Sequence, residues 1–173
     1  MNGPELEWLY LRARENQVII EVGSAYGRSS HALLVGNFEC FEFGGRVYCV
    51  DYWPMPIKGG GDDSLFDEHK KDHVRKSTFL RRLGHWPNLN IIELPQHLAH
   101  PALSRLEVNM VFLDGGTANI REELGLWKKV PNKLLCGHDY CEEKYPGVVE
   151  AVDEILGRKP SVVEGGTVWY AYK

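Results

Sequence analysis

The sequence predicts an α/β domain built on a parallel sheet covered on both faces, and three observations carry that expectation. Short apolar runs of strand length alternate with segments of helical periodicity along the 173 residues. Two of those runs end abruptly in an acid, Asp51 or Asp114, and a third leads into Asp139. The chain then closes on two β-rich runs separated by Gly165 and Gly166, a hairpin signal. Regular alternation implies right-handed crossovers, with ligands bound outside the carboxyl ends of the strands. The three acids should therefore share one rim.

Taken in order, Leu6, Leu9, Tyr10 and Ala13 recur at helical spacing after Pro4, so a helix is expected from Pro4 to about Glu15. Val18 to Val22 is a buried strand running into Gly23 and Gly27, followed by a helix from about Arg28 to Phe38. Val47 to Val50 is a second strand, and the segment YWPMPIKGGGDD after it reads as a loop or flap. A helix over 64 to 83, a strand over 90 to 94 and a strand over 108 to 114 come next. Ile120, Leu124 and Trp127 mark a helix, with Asn119 and Glu122 in the form of a capping box. Lys133 to Cys136 is a fifth strand, and Pro146 opens a helix that Gly157 stops.

Hydrophobic residues make up 43% and charged residues 25%, which excludes disorder, collagen and coiled coil. No apolar stretch approaches the roughly 20 residues that cross a bilayer, so neither a membrane span nor a signal peptide is expected. With 20 Lys+Arg against 24 Asp+Glu, a net charge of −4 argues against coating nucleic acid or an anionic membrane. A single cytoplasmic domain over residues 1–173 is the expectation, with homo-oligomerisation left open. Cys40, Cys49, Cys136 and Cys141 read as unpaired thiols. A soft-metal site from Cys136, His138, Asp139 and Cys141 is disfavoured, because it lacks the paired knuckles of structural zinc.

The segment EVGSAYGRSS, residues 21–30, places Gly23 and Gly27 at a strand-to-helix turn, where bare backbone lets a ligand approach closely. A dinucleotide fingerprint would put a glycine where this chain has Glu21, which disfavours a nicotinamide or flavin cofactor. Asp51, ending the next strand, suits the hydroxyls of a ribose; turn and cap roles are the bland alternatives.

The runs VIIEVGSAYGRSSHALL, VYCVDYW, VNMVFLDGG, LLCGHDY and PGVVEAVDEIL together resemble a class I S-adenosylmethionine-dependent methyltransferase. More narrowly, the chain is similar to the small-molecule O-methyltransferase branch that includes catechol O-methyltransferase-like and macrocin O-methyltransferase-like enzymes. The resemblance implies a three-layer Rossmann-like fold, with a seven-stranded, mostly parallel sheet whose last strand is antiparallel. It implies that Glu21, Gly23, Ser24, Tyr26 and Gly27 line the methionine and ribose portion of S-adenosylmethionine, with Ser29 or Ser30 reaching its carboxylate. Asp51 would then hold the ribose, Tyr52 and Trp53 would flank the adenosine, and Gln96 with His97 would lie near the adenine.

A hydroxyl is a poor nucleophile at neutral pH unless a base or a divalent metal assists it. Asp114, His138 and Asp139 at the strand ends offer hard oxygen ligands and one imidazole, which suits Mg²⁺ or another divalent cation. Asp114, also on the cofactor side, and His138 are the catalytic candidates; capping and a satisfied histidine are the alternatives. Relatives often carry a His or Lys three residues after this aspartate, where the chain has Thr117, and a glycine pair where it has Pro131 and Asn132. The expected function is O-methylation of a small hydroxylated molecule such as a sugar, catechol or natural product. The alternative is a module binding S-adenosylmethionine or S-adenosylhomocysteine with weak or lost catalysis. The basic run Lys70, Lys71, Arg75, Lys76, Arg81 and Arg82 reads as a solvated face or as a grip for an anion.

Overall fold

The computed structural model describes residues 1–53, 76–130 and 132–173. The expected flap after Trp53, the first part of the 64–83 helix, Lys70, Lys71, Arg75 and Pro131 lie outside the described residues. The order is α1 (Gly3–Ala13), β1 (Val18–Val22), α2 (Arg28–Phe41), β2 (Arg46–Asp51), α3 (Lys76–Leu83), β3 (Leu89–Glu93), α4 (Gln96–Leu103), β4 (Met110–Leu113), α5 (Ile120–Trp127), β5 (Leu134–Gly137), α6 (Pro146–Leu156), β6 (Ser161–Val162) and β7 (Trp169–Tyr172). The strands form one seven-stranded sheet in the order β3-β2-β1-β4-β5-β7-β6. β1 to β5 run parallel, and β7 pairs antiparallel with both β5 and β6.

Successive strand residues face opposite sides, so the sheet builds two cores. Ile19, Val47, Cys49, Met110, Phe112 and Leu134 pack against α1, α2 and α3 through Leu9, Leu33 and Phe79. Ile20, Val22, Val111, Leu113 and Leu135 pack against α4, α5 and α6 through Leu103, Trp127 and Val152. The parallel strands carry nearly continuous apolar runs because both faces are covered.

Two local expectations are corrected. Asn119 makes no side-chain cap bond to α5, whereas Asn2 and Glu5 form a reciprocal capping box on α1. α4 was not anticipated, because it has eight residues with Pro101 inside it, too short to show a helical period. The thiols match expectation: Cys49 and Cys136 are buried, and Cys136 Sγ lies 3.3 Å from the Val111 carbonyl.

Beneath the amino ends of the strands a polar ladder closes the α1–α3 layer. Asn37 and Asn88 are both fully buried. Asn37 Nδ2 donates to the carbonyls of Asn16 (2.8 Å) and Gln17 (3.0 Å). Asn88 Nδ2 donates to Leu34 O (3.0 Å) and Asn37 Oδ1 (2.9 Å). Removing the shared amide would orphan partners on both sides of α2. Asn37→Ala is expected to lose about 2–3 kcal/mol in urea unfolding; a loss below about 1 kcal/mol would show that water replaces the ladder.

Candidate functional site

Register sets the site. Val22 pairs with Val50 and with Leu113, and Leu113 pairs with Gly137, so β1, β2, β4 and β5 end together. Asp51 as the last residue of β2, and Gly23, Asp114 and His138 just after β1, β4 and β5, therefore lie along one rim.

The turn after β1 is organised from beneath by Glu21, which is fully buried. Its carboxylate accepts hydrogen bonds from Ser24 Oγ (2.6 Å), Ser29 Oγ (2.5 Å) and Ser30 Oγ. Burial raises the Glu21 pKa, and the three hydroxyls and the Cys49 thiol oppose the rise. Ser29 and Ser30, expected with Glu21 to line the cofactor, are tied to it by these bonds beneath the turn, where Ser29 is nearly and Ser30 fully buried. Gly23 holds φ +87°, and a side chain there would strike the Asp114 backbone. Gly27, at φ +82°, begins α2. Ala25 between them also takes a positive φ, +42°, which costs strain in a residue with a Cβ.

Asp51 closes the turn from the next strand. Its Oδ2 accepts the Ser24 (2.9 Å) and Ala25 (2.7 Å) amides, and its Oδ1 the Tyr52 amide (2.6 Å). Burial raises its pKa while these amides lower it. Tyr52 is 47% exposed beside it and Tyr26 is 40% exposed on the turn. Trp53 is 4% exposed, donates Nε1 to the Ala25 carbonyl at 3.0 Å and packs at a tilt of 45° against Phe79. Expected to flank the adenosine, Trp53 packs in the core and anchors the turn from below. Gln96 and His97 open α4; Gln96 Oε1 accepts from Trp127 Nε1 (3.0 Å), and His97 is exposed.

At the other end of the rim, one ligand atom each from Asp114, His138 and Asp139 lies within 4.8 Å of the others. His138 Nδ1 is 2.8 Å from Asp139 Oδ1 and 3.5 Å from Asp114 Oδ1. Asp139 takes a left-handed φ of +65°, which turns its carboxylate back toward the imidazole. Burial drives the Asp114 pKa up to about 8, against the attraction of His138. For His138, burial lowers the pKa, but the Asp139 hydrogen bond and the charges of Asp114, Asp139 and Glu5 outweigh it and leave it raised.

Glu5 is the rim residue that sequence reasoning missed. It is 2% exposed, with Oε1 at 3.4 Å from His138 Nε2 and accepting the Thr167 amide at 2.6 Å. Burial raises its pKa, and the amides of Thr167 and Asn2 with the His138 charge bring it below the ordinary value. The signal was present as Asn2-x-x-Glu5 ahead of an apolar period. Glu123 was also missed: it is 4% exposed, and burial raises its pKa to about 7.

Solved structures share this architecture. An O-methyltransferase from Bacillus cereus, solved with S-adenosylhomocysteine, matches with a TM-score of 0.67 at 13% identity, over 100% of this chain and 82% of that one. TomG of Streptomyces achromogenes, an O-methyltransferase involved in tomaymycin synthesis and solved with S-adenosylmethionine, gives 0.62 at 17% identity, over 98% and 78%. A methyltransferase from Geobacter sulfurreducens gives 0.63 at 17% identity, over 100% and 79%. No protein-family model and no curated protein matches the chain. The seven-stranded Rossmann-like methyltransferase fold expected from the sequence is the fold observed.

The rim electrostatics fix a pH dependence. Asp114 at about 8 against an ordinary 3.8, and His138 above its ordinary 6.5, bind protons more tightly when folded. Their stabilising contributions are complete below those ordinary values and are lost as pH rises through the folded ones. Glu5, below its ordinary 4.5, contributes above that value and loses its contribution as pH falls. Without divalent cations, the urea midpoint is expected to fall between pH 6 and pH 8, and Asp114→Asn to shrink that fall. An equal fall in Asp114→Asn would remove the assignment.

Proposed function

We propose that the chain is an S-adenosylmethionine-dependent O-methyltransferase acting on a small hydroxylated molecule. One observation carries the reading: the sheet aligns a bare glycine turn, the Asp51 carboxylate and the Asp114–His138–Asp139 cluster on one rim. The cofactor fits the turn at Gly23, where no side chain covers the backbone, and beside Asp51, whose carboxylate can accept ribose hydroxyls. Tyr26, Tyr52, Gln96 and His97 are the remaining cofactor candidates. Ser24 is 2% exposed and supports the turn through Glu21.

The donor set also fits a divalent cation, because two carboxylates and an imidazole converge and Asp114 resists ionising without a positive charge nearby. S-adenosylmethionine, when bound, supplies an electrophilic methyl group, and a divalent cation at Asp114, His138 and Asp139 supplies acidification of the acceptor hydroxyl. The chain's own work is to hold and orient. His138 Nδ1 lies against the Asp139 and Asp114 carboxylates, and Glu5 Oε1 stands 3.4 Å from its Nε2, so acids on both sides hold the imidazole at the cluster. Methyl transfer is an in-line displacement, so the rigid rim contributes by keeping acceptor and methyl group collinear. Thr117 is exposed on the same rim and has no base within reach of neutral pH, so acceptance of the hydroxyl proton falls to the cluster.

Thr117 also favours the second reading, a cofactor-binding module with weak or lost catalysis. Among the described residues no helix is long and apolar enough to cross a membrane. Calorimetric titration with S-adenosylhomocysteine tests the binding: micromolar affinity is expected, weakened at least about tenfold in Asp51→Ala. Absence of binding, or an unchanged affinity in that variant, overturns the reading. Methyl transfer to a panel of catechols and sugars is expected to cease with EDTA and return with Mg²⁺. Binding without turnover selects the module, and turnover indifferent to EDTA removes the cation.

A further inference from the structure

On the α1–α3 side of the glycine turn lies a cleft of about 600 Å³ whose walls include Leu6, Tyr26, Arg28, His31 and Arg82. Its volume suits a small molecule. The convergence of cations follows from packing: at Gly27 there is no Cβ, and Leu83 and Phe79 of α3 press directly on the turn. α3 thereby carries Arg82 to the cleft, where its guanidinium sits 5.8 Å from the Tyr26 ring centre and its Nη1 is 3.4 Å from the Tyr26 carbonyl. Arg28 opens α2, and His31 lies one turn further on, its ring 6.1 Å from Trp86.

What sets these cations apart is that three line one cleft without an acid among them. Arg12, Arg14, Lys76 and Arg121 each face a carboxylate, on Glu15, Glu39, Glu93 and Glu154. Among the described residues no carboxylate forms an ion pair with Arg28, His31 or Arg82. On a chain of net charge −4, three positive or protonatable groups gathered in one cleft create a local demand for negative charge. Guanidinium forks match phosphate oxygens in pairs, and more than one fork favours a group of more than one charge. The apolar wall at Leu6 leaves room for an uncharged remainder.

We infer that this cleft holds the phosphate or diphosphate portion of the methyl acceptor, so that the substrate is a phosphate-bearing hydroxylated molecule. The word substrate rests on the methyltransferase reading; the anion site does not. Titration of the full chain with inorganic pyrophosphate, followed by calorimetry, tests it, with succinate as the carboxylate arm. Pyrophosphate is expected to bind, to weaken as ionic strength rises, and to lose at least about tenfold in affinity in Arg28→Gln/Arg82→Gln. Arg121→Gln, on a paired surface arginine, is expected to leave the affinity unchanged, and thermal melting of each variant checks that it folds. Charge reversal in Arg82→Glu should abolish binding. No pyrophosphate binding, equal affinity in the folded double variant, or succinate binding as tightly overturns the inference. Pyrophosphate binding without S-adenosylhomocysteine binding would overturn the methyltransferase reading and leave the anion site; the converse result would overturn the anion site alone.

Discussion

A carboxylate buried in an inner strand governs the site. Glu21 sits near the carboxyl end of β1 with no exposure, where an unsatisfied acid would be costly. Its three hydroxyl donors come from positions 24, 29 and 30, which span the whole turn and the first residues of α2. Satisfying one buried group therefore dictates the path of seven residues. That path forces Gly23 against the Asp114 backbone and Gly27 against α3, and it turns the Ser24 and Ala25 amides toward Asp51. The ligand-facing turn is thus held by polar bonds from inside and by Asp51 from its flank, which preorganises it.

The second organising contact ties the amino-terminal helix to the opposite end of the rim. Glu5 caps α1, receives the Thr167 amide from the loop before β7 and faces His138. One side chain ties a helix to a loop and sets a negative charge beside the imidazole. The cost is electrostatic crowding: Glu5, Asp114 and Asp139 surround a single histidine, and burial holds the Asp114 pKa at about 8. Such a cluster is tense in the protonation sense, and added positive charge relieves it.

Much of the fold was legible because buried strands and two-sided helices write strong periods. β1 matched residue for residue, and the other parallel strands differed by one or two positions at each end, where boundaries depend on neighbouring strands. α4 was illegible because eight residues with an internal proline show no period. The site was legible in its rim acids and glycines, since those residue types are set by backbone geometry. The burial of Glu21, Ser29, Ser30 and Trp53 was not legible, because sequence shows that a polar or aromatic residue is near a turn but not which side of the sheet's edge it faces. Glu5 was missed for the opposite reason, since its partner His138 stands far away in sequence and only folding brings the two together.

The two ends of the turn carry opposite demands. Toward β4 and β5 the groups are acidic and crowd one another; toward α2 and α3 they are basic and lack acidic partners among the described residues. A neutral ligand would relieve neither. A cationic sulfonium or metal belongs near the acids and an anionic group near Arg28 and Arg82, so the field across the rim gives a bound acceptor a direction. In the acceptor proposed above, the hydroxyl is drawn toward Asp114 and His138 and the charged portion toward Arg28 and Arg82, so charge separation over a rigid turn sets the direction in which it binds.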